Sequence, residues 1–74
     1  MELYQHDSAK SFRFVLRGDL TGNDVAELLH AWTTAQSILR NKELVIDATG
    51  LNHADPAGRE LLSTMKDSGA RLTY

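Results

Sequence analysis

The chain has no cysteine, so neither a disulfide framework nor a thiolate metal site is open to it, and a reducing compartment suits it. No apolar run approaches membrane-spanning length. The start, Met1-Glu2-Leu3-Tyr4-Gln5-His6-Asp7, shows neither the basic nor the apolar region of a secretory signal. Basic excess is missing too. Eight Lys and Arg stand against ten Asp and Glu, a formal charge of −2 with a pI near 5.8, which argues against a nucleic-acid module. There is no repeat or low-complexity tract, and no Gly-x-Gly-x-x-Gly or Walker sequence to support a nucleotide site. The three histidines, His6, His30 and His53, are 24 and 23 residues apart, a spacing that matches no zinc pattern.

What remains is an ordinary globular composition, 42% hydrophobic and 24% charged, in 74 residues, which bounds the chain to one domain spanning 1–74. Ordering it costs on the order of 100 kcal/mol of conformational entropy, so nearly every apolar residue has to be used. The elements alternate. Glu2 to Gln5 is a short strand, and Asp7 to Lys10 supplies turn formers. Phe12, Phe14 and Leu16 then alternate with Arg13, Val15 and Arg17, the period of a half-covered strand, and Gly18 is expected to break it. Thr21 with Asp24 reads as a capping-box variant. Val25, Leu28, Leu29, Trp32, Gln36 and Leu39 follow at helical spacing, with Asn41 a plausible stop. Leu44-Val45-Ile46 lacks polar alternation and reads as a strand buried on both faces. Asp47-Ala48-Thr49-Gly50 reads as a turn, leading into a loop that ends at Asp55. Asp55-Pro56 is a helix start, with a side-chain cap followed by a proline whose missing donor is not needed there. Leu61, Leu62 and Met65 share a face of that helix, Gly69 ends it, and Arg71 to Tyr74 begins a last strand. This order predicts an α/β fold: a mostly parallel sheet with an N-terminal edge hairpin and two crossover helices.

The ordered set from about Phe12 to Leu72 resembles the STAS domain, the module named for sulphate transporters and anti-sigma-factor antagonists. The residues that carry the likeness are the strand leading to Gly18-Asp19-Leu20, the strand ending Leu44-Val45-Ile46-Asp47, then Thr49-Gly50-Leu51. Asp-x-x-Gly from Asp55 to Gly58 and Gly69-Ala70-Arg71-Leu72 complete it. The resemblance implies a cytoplasmic, bacterial-type module that binds protein and does no chemistry. Its partner would be an anti-sigma kinase-like protein or another subunit of a regulatory or transport complex. Such domains continue past this last strand with further helices and usually another strand. The resemblance therefore implies a STAS-like fold incomplete at the C-terminus, or a partner chain, such as a second copy in a homodimer, over the exposed surface. In phosphoswitch members one of the two residues after this Asp is the phosphorylated Ser or Thr. Here they are Pro56 and Ala57, so the switch is absent. Thr49 is the nearest hydroxyl in that stretch.

The expected partner surface is Asn52, His53, Asp55, Pro56, Ala57 and Arg59, flanked by Asp19, Leu20 and Thr21. Arg59, one turn into its helix, can reach a partner carboxylate bidentately, or simply be a solvated arginine. An alternative of another class is a small-anion or lipid-phosphate site on the free amides at the Pro56 helix start, against which the Asp55 carboxylate argues. Third is a Mg²⁺-dependent phosphohydrolase built on Asp19, Asp47 and Asp55. Position 49 is Thr where a second Asp would be wanted, and capping accounts for the three carboxylates without chemistry. No catalytic residue, metal or cofactor is therefore assigned.

Overall fold

A computed structural model describes residues 1–39 and 41–74. Six elements follow one another: β1 (Glu2–Asp7), β2 (Ser11–Leu20), α1 (Asn23–Ile38), β3 (Glu43–Ala54), α2 (Pro56–Asp67) and β4 (Arg71–Thr73). The strands form one mixed sheet in the order β1-β2-β3-β4. β1 pairs antiparallel with β2 through the short Ser8–Ser11 connection, and β2-β3 and β3-β4 are parallel. The expected edge hairpin and two crossover helices are therefore present.

Two successive right-handed crossovers that step the same way across a sheet place both helices on one face. The burial pattern agrees. Phe12, Phe14 and Leu16 of β2 and Leu44, Ile46 and Ala48 of β3 join Leu28, Trp32 and Ala35 of α1 and Leu61, Leu62 and Met65 of α2 in one core. The alternation read in β2 is thus the alternation between core and open sheet face.

Val45 corrects the reading of a strand covered on both sides. It is buried, at 8% exposure, but stands outside that core, on the sheet face that carries no helix. Its neighbours across the sheet are Arg13 and Arg71. Long arginine stems cover apolar surface while their heads stay in water, so an apolar residue there does not need a helix above it.

The second correction concerns Asp47 to Ala54, expected as a turn and loop but found as strand. From the Val15–Asp47 pair, β2 advances five residues to Leu20 while β3 advances seven to Ala54, so β3 absorbs two extra residues as bulges. The turn chemistry is real. Thr49 donates to the Asp47 carboxylate from its amide at 3.0 Å and its hydroxyl at 2.6 Å. Its effect is a bulge because β2 continues alongside. Gly18 does not break β2 either. At φ +90° it sits inside the strand at a register shift. Gly50 answers a close approach, since a Cβ there would lie 3.0 Å from the Leu16 carbonyl oxygen. The first strand is also longer than expected, running on to Asp7 in register with Phe12.

The start of α1 departs from the expected capping box. Gly22, at φ +56°, is the N-cap, and among the described residues no side chain makes the usual cap bond. Thr21 contributes its carbonyl to the Asp24 amide at 3.0 Å, and the Asp24 carboxylate lies 3.4 Å from the Met1 ammonium. The apolar stripe of α1 is narrower than its sequence suggests, with Leu29 left 45% exposed. Asn41 takes the left-handed conformation of a stop residue, three positions beyond the last helical residue, Ile38.

Candidate functional site

The start of α2 forms as its residues dictate. Asp55 is the N-cap, extended at ψ 172°, and Pro56 occupies the first turn. One carboxylate oxygen, Oδ1, accepts from the Gly58 amide at 2.7 Å, the usual cap bond. The other, Oδ2, accepts from the Gly22 amide at 3.1 Å. One side chain thus satisfies a donor at the start of each helix and ties the two starts together. These two amides, with the charges of His53 and Arg59 nearby, hold the Asp55 carboxyl below the usual carboxylate range. The backbone adds a further tie, from the Asp55 amide to the Leu20 carbonyl at 3.1 Å. Gly58 lets α2 lie against β2, because a Cβ there would sit 2.7 Å from the Leu20 carbonyl oxygen.

On this braced base the expected surface residues separate into two groups. Asp19, Asn52, His53, Pro56, Ala57 and Arg59 are exposed, and Asp19 is the register partner of His53. They form a ridge of exposed positions at the carboxyl ends of β2 and β3 and along the first turn of α2, and Asn52, His53 and Arg59 of it also line the groove beside it. Leu20 is wholly buried in the core, and both Asp55 oxygens are engaged internally, so neither belongs to the contact surface itself. Thr21 is half-buried beside them. Asp47 lies elsewhere, its carboxyl held low by the Thr49 hydroxyl and amide. Among the described residues, no three carboxylate or histidine side chains come together as a metal could use them.

Beside the ridge lies a feature that the sequence reading missed, a groove of about 450 Å³ between the end of β3, α2 and β4. Its α2 wall is Arg59, Leu62, Ser63 and Lys66, one helical face by spacing. Its floor includes Ala48, Leu51, Ala54 and Leu72. The signal was present in the 59, 62, 63, 66 spacing, but only the fold sets that face against the ends of β3 and β4. A smaller hollow of about 260 Å³ opens at the other end of the sheet, against Trp32. Its charged liners are already paired, Lys42 with Asp7 at 2.6 Å and Glu43 with Arg71 at 3.5 Å.

No protein-family model matches this chain, and no curated protein matches it. A solved structure described as a crystal structure analysis of Mglu is similar in fold, with a TM-score of 0.71 at 18% identity. The likeness covers 95% of this chain and 18% of that one, so the chain spans less than a fifth of that protein's length. At that identity the likeness is one of fold alone, and it defines this chain as a small α/β domain with a mixed sheet.

Proposed function

We propose that this chain is a STAS-like protein-interaction module of the anti-sigma-factor antagonist kind, acting in a bacterial cytoplasm without chemistry of its own. The observation that carries the reading is the ridge: exposed, mixed in character, and held on a helix start braced from both sides by Asp55. A rigid, exposed surface binds a partner without an ordering cost at the contact. Pro56 and Ala57 stand at the exposed positions where the family's phosphoacceptor would be, so binding is constitutive and not switched there. The partner class is an anti-sigma kinase-like protein or another subunit of a regulatory or transport complex.

The two competing readings have less support. The Gly58 amide that a bound anion would use at the α2 start is taken by Asp55, whose own charge repels an anion. For a Mg²⁺ phosphohydrolase, Asp19, Asp47 and Asp55 would have to converge, and Asp47 and Asp55 are each engaged with their own neighbours.

Titration calorimetry with an anti-sigma kinase-like protein tests the proposal. Arg59→Ala and His53→Ala should each weaken binding about tenfold or more with the thermal midpoint nearly unchanged. Binding that ignores every ridge substitution would place the partner surface elsewhere.

A further inference from the structure

Among the described residues, three arginines stand on the sheet face that carries no helix, and two of them are answered. Arg71 has the Glu43 carboxylate at 3.5 Å, and Arg17 lies over the Tyr4 ring, 5.9 Å from its centroid, with Glu2 as its register partner. Arg13 differs. Its register partners are His6 on β1 and Val45 on β3, and among the described residues no carboxylate lies within ion-pair distance of it. Opposite charges across a sheet stabilise each other, so a guanidinium between an imidazole and a valine is short of an anion. The nearby acids are engaged elsewhere. Asp7, whose register partner is the core residue Phe12, is paired with Lys42 at 2.6 Å. Asp47 is held first by the Thr49 hydroxyl and amide, with Arg13 only a lesser influence on its carboxyl.

Arg13 and His6 also line a hollow of about 380 Å³ at the hairpin end of the sheet, completed by Ser8, Ser11 and Val15 and by no acidic residue. It lies away from Met1, which packs beside Gly18, and from Tyr74, which follows the Asp47–Thr73 pair. None of its five residues belongs to the core or to the ridge. The turn arranges the hydroxyls. Ser8 Oγ accepts from the Ser11 amide at 3.2 Å and lies 3.0 Å from both the carbonyl and the hydroxyl oxygen of Ser11. The Ser8 proton thus has an acceptor on Ser11, and the Ser11 proton can turn to a ligand. A guanidinium fork, an imidazole and a hydroxyl beside an apolar side chain fit a tetrahedral oxyanion that carries a carbon group.

We propose that this hollow binds a small phosphomonoester, its phosphate on Arg13, His6 and Ser11 and its ester group against Val15. The dianion supplies the counter-charge that Arg13 lacks, and the guanidinium meets two of its oxygens at once. The site is at the opposite end of the sheet from the ridge and uses no helix-start amide, so it stands whether or not the ridge binds a protein.

The test is titration of the full chain with phenyl phosphate, methyl phenyl phosphate and inorganic phosphate, followed by calorimetry and amide shifts. Phenyl phosphate should bind saturably at one site, roughly tenfold or more tighter than the singly charged methyl phenyl diester. It should also bind more tightly than inorganic phosphate, which leaves Val15 uncovered. Shifts should centre on His6, Ser11, Arg13 and Val15. Arg13→Gln should weaken phenyl phosphate about tenfold or more and abolish its preference over the diester. Arg13→Lys keeps the charge and the stem beside Val45 but not the fork, and should restore part of that preference. Ser11→Ala should weaken binding severalfold, whereas Arg17→Gln, on the same face but already answered, should change it less than Arg13→Gln. The Arg13 stem also shields Val45, so Arg13→Gln lowers stability slightly; the monoester preference is a readout which that structural role does not move. The proposal fails if monoester and diester bind alike, if Arg13→Gln leaves the preference intact, or if the shifts centre on the start of α2. It fails equally if only a phosphopeptide or a terminally phosphorylated oligonucleotide binds and phenyl phosphate does not.

Discussion

The Asp55 carboxylate accepts a hydrogen bond from the Gly22 amide at 3.1 Å, across 33 residues of chain, while it caps its own helix through Gly58. Because α1 and α2 begin at the ends of neighbouring parallel strands, their N-termini lie side by side, and a single carboxylate serves both. The partial positive charges of the two helix starts favour an anion between them. The residue that gives the resemblance its Asp-x-x-Gly motif is therefore first of all a brace between two helices.

Replacing that brace should loosen both helix starts. Asp55→Ala is expected to lower the urea midpoint at pH 7 more than Asp55→Asn, which keeps one acceptor. The pH dependence has a definite sign. Asp55 and Asp47 both have folded-state pKa values below the ordinary carboxyl value. Their contribution is complete above the unfolded-state pKa of about 3.9, declines as pH falls below it, and is gone once the folded-state pKa is passed. Urea midpoints measured from pH 7 down to pH 3 should fall less steeply for Asp55→Asn than for the wild type. Parallel curves would show that the carboxylate's charge is not what the helix starts use.

Gly58→Ala should destabilise, against the usual benefit of alanine in a helix, about 1 kcal/mol. The new Cβ would meet the Leu20 carbonyl at 2.7 Å and the Leu20 Cγ at 3.0 Å, so α2 must move away from β2. A loss of about 1–3 kcal/mol is expected from overpacking, read from the denaturant midpoint. A stabilised variant would mean that α2 shifts freely over the sheet.

Val45→Asp and Ile46→Asp, adjacent in sequence, should differ sharply. Ile46 is fully buried beneath the helices, and a charge there has no partner, so Ile46→Asp should not fold. Val45 faces the open side between Arg13 and Arg71 in register, where a carboxylate finds water and two guanidinium neighbours. Val45→Asp should fold with a loss of no more than about 3 kcal/mol. Circular dichroism on the two purified variants decides the matter, and equal unfolding would show the open face to be covered.

Incubation with an anti-sigma-type kinase and ATP should leave the intact mass unchanged. Pro56 and Ala57 offer no hydroxyl, and the Thr49 hydroxyl is bound to the Asp47 carboxylate at 2.6 Å, where a phosphate would be repelled. One added phosphate mapped to Thr49 would reinstate a switch at this surface.

The sequence by itself determined whatever depends on neighbours along the chain. The Asp55-Pro56 start of α2, its end at the left-handed Gly69, the alternation of Phe12, Phe14 and Leu16, and the β-α-β-α-β order all follow from capping, backbone freedom and periodicity. Tertiary structure decided whatever depends on a partner strand or helix. Asp47-Ala48-Thr49-Gly50 carries turn chemistry, yet β2 runs beside it and makes it a bulged strand. Val45 looks like its neighbours, yet the same-handed crossovers leave its side of the sheet without a helix. Asp55 reads as the cap of one helix, and only the adjacency of two parallel strand ends makes it the brace of two. The groove has the same origin: the stripe of 59, 62, 63 and 66 is a helical spacing in the sequence, and only the fold sets it opposite the ends of β3 and β4.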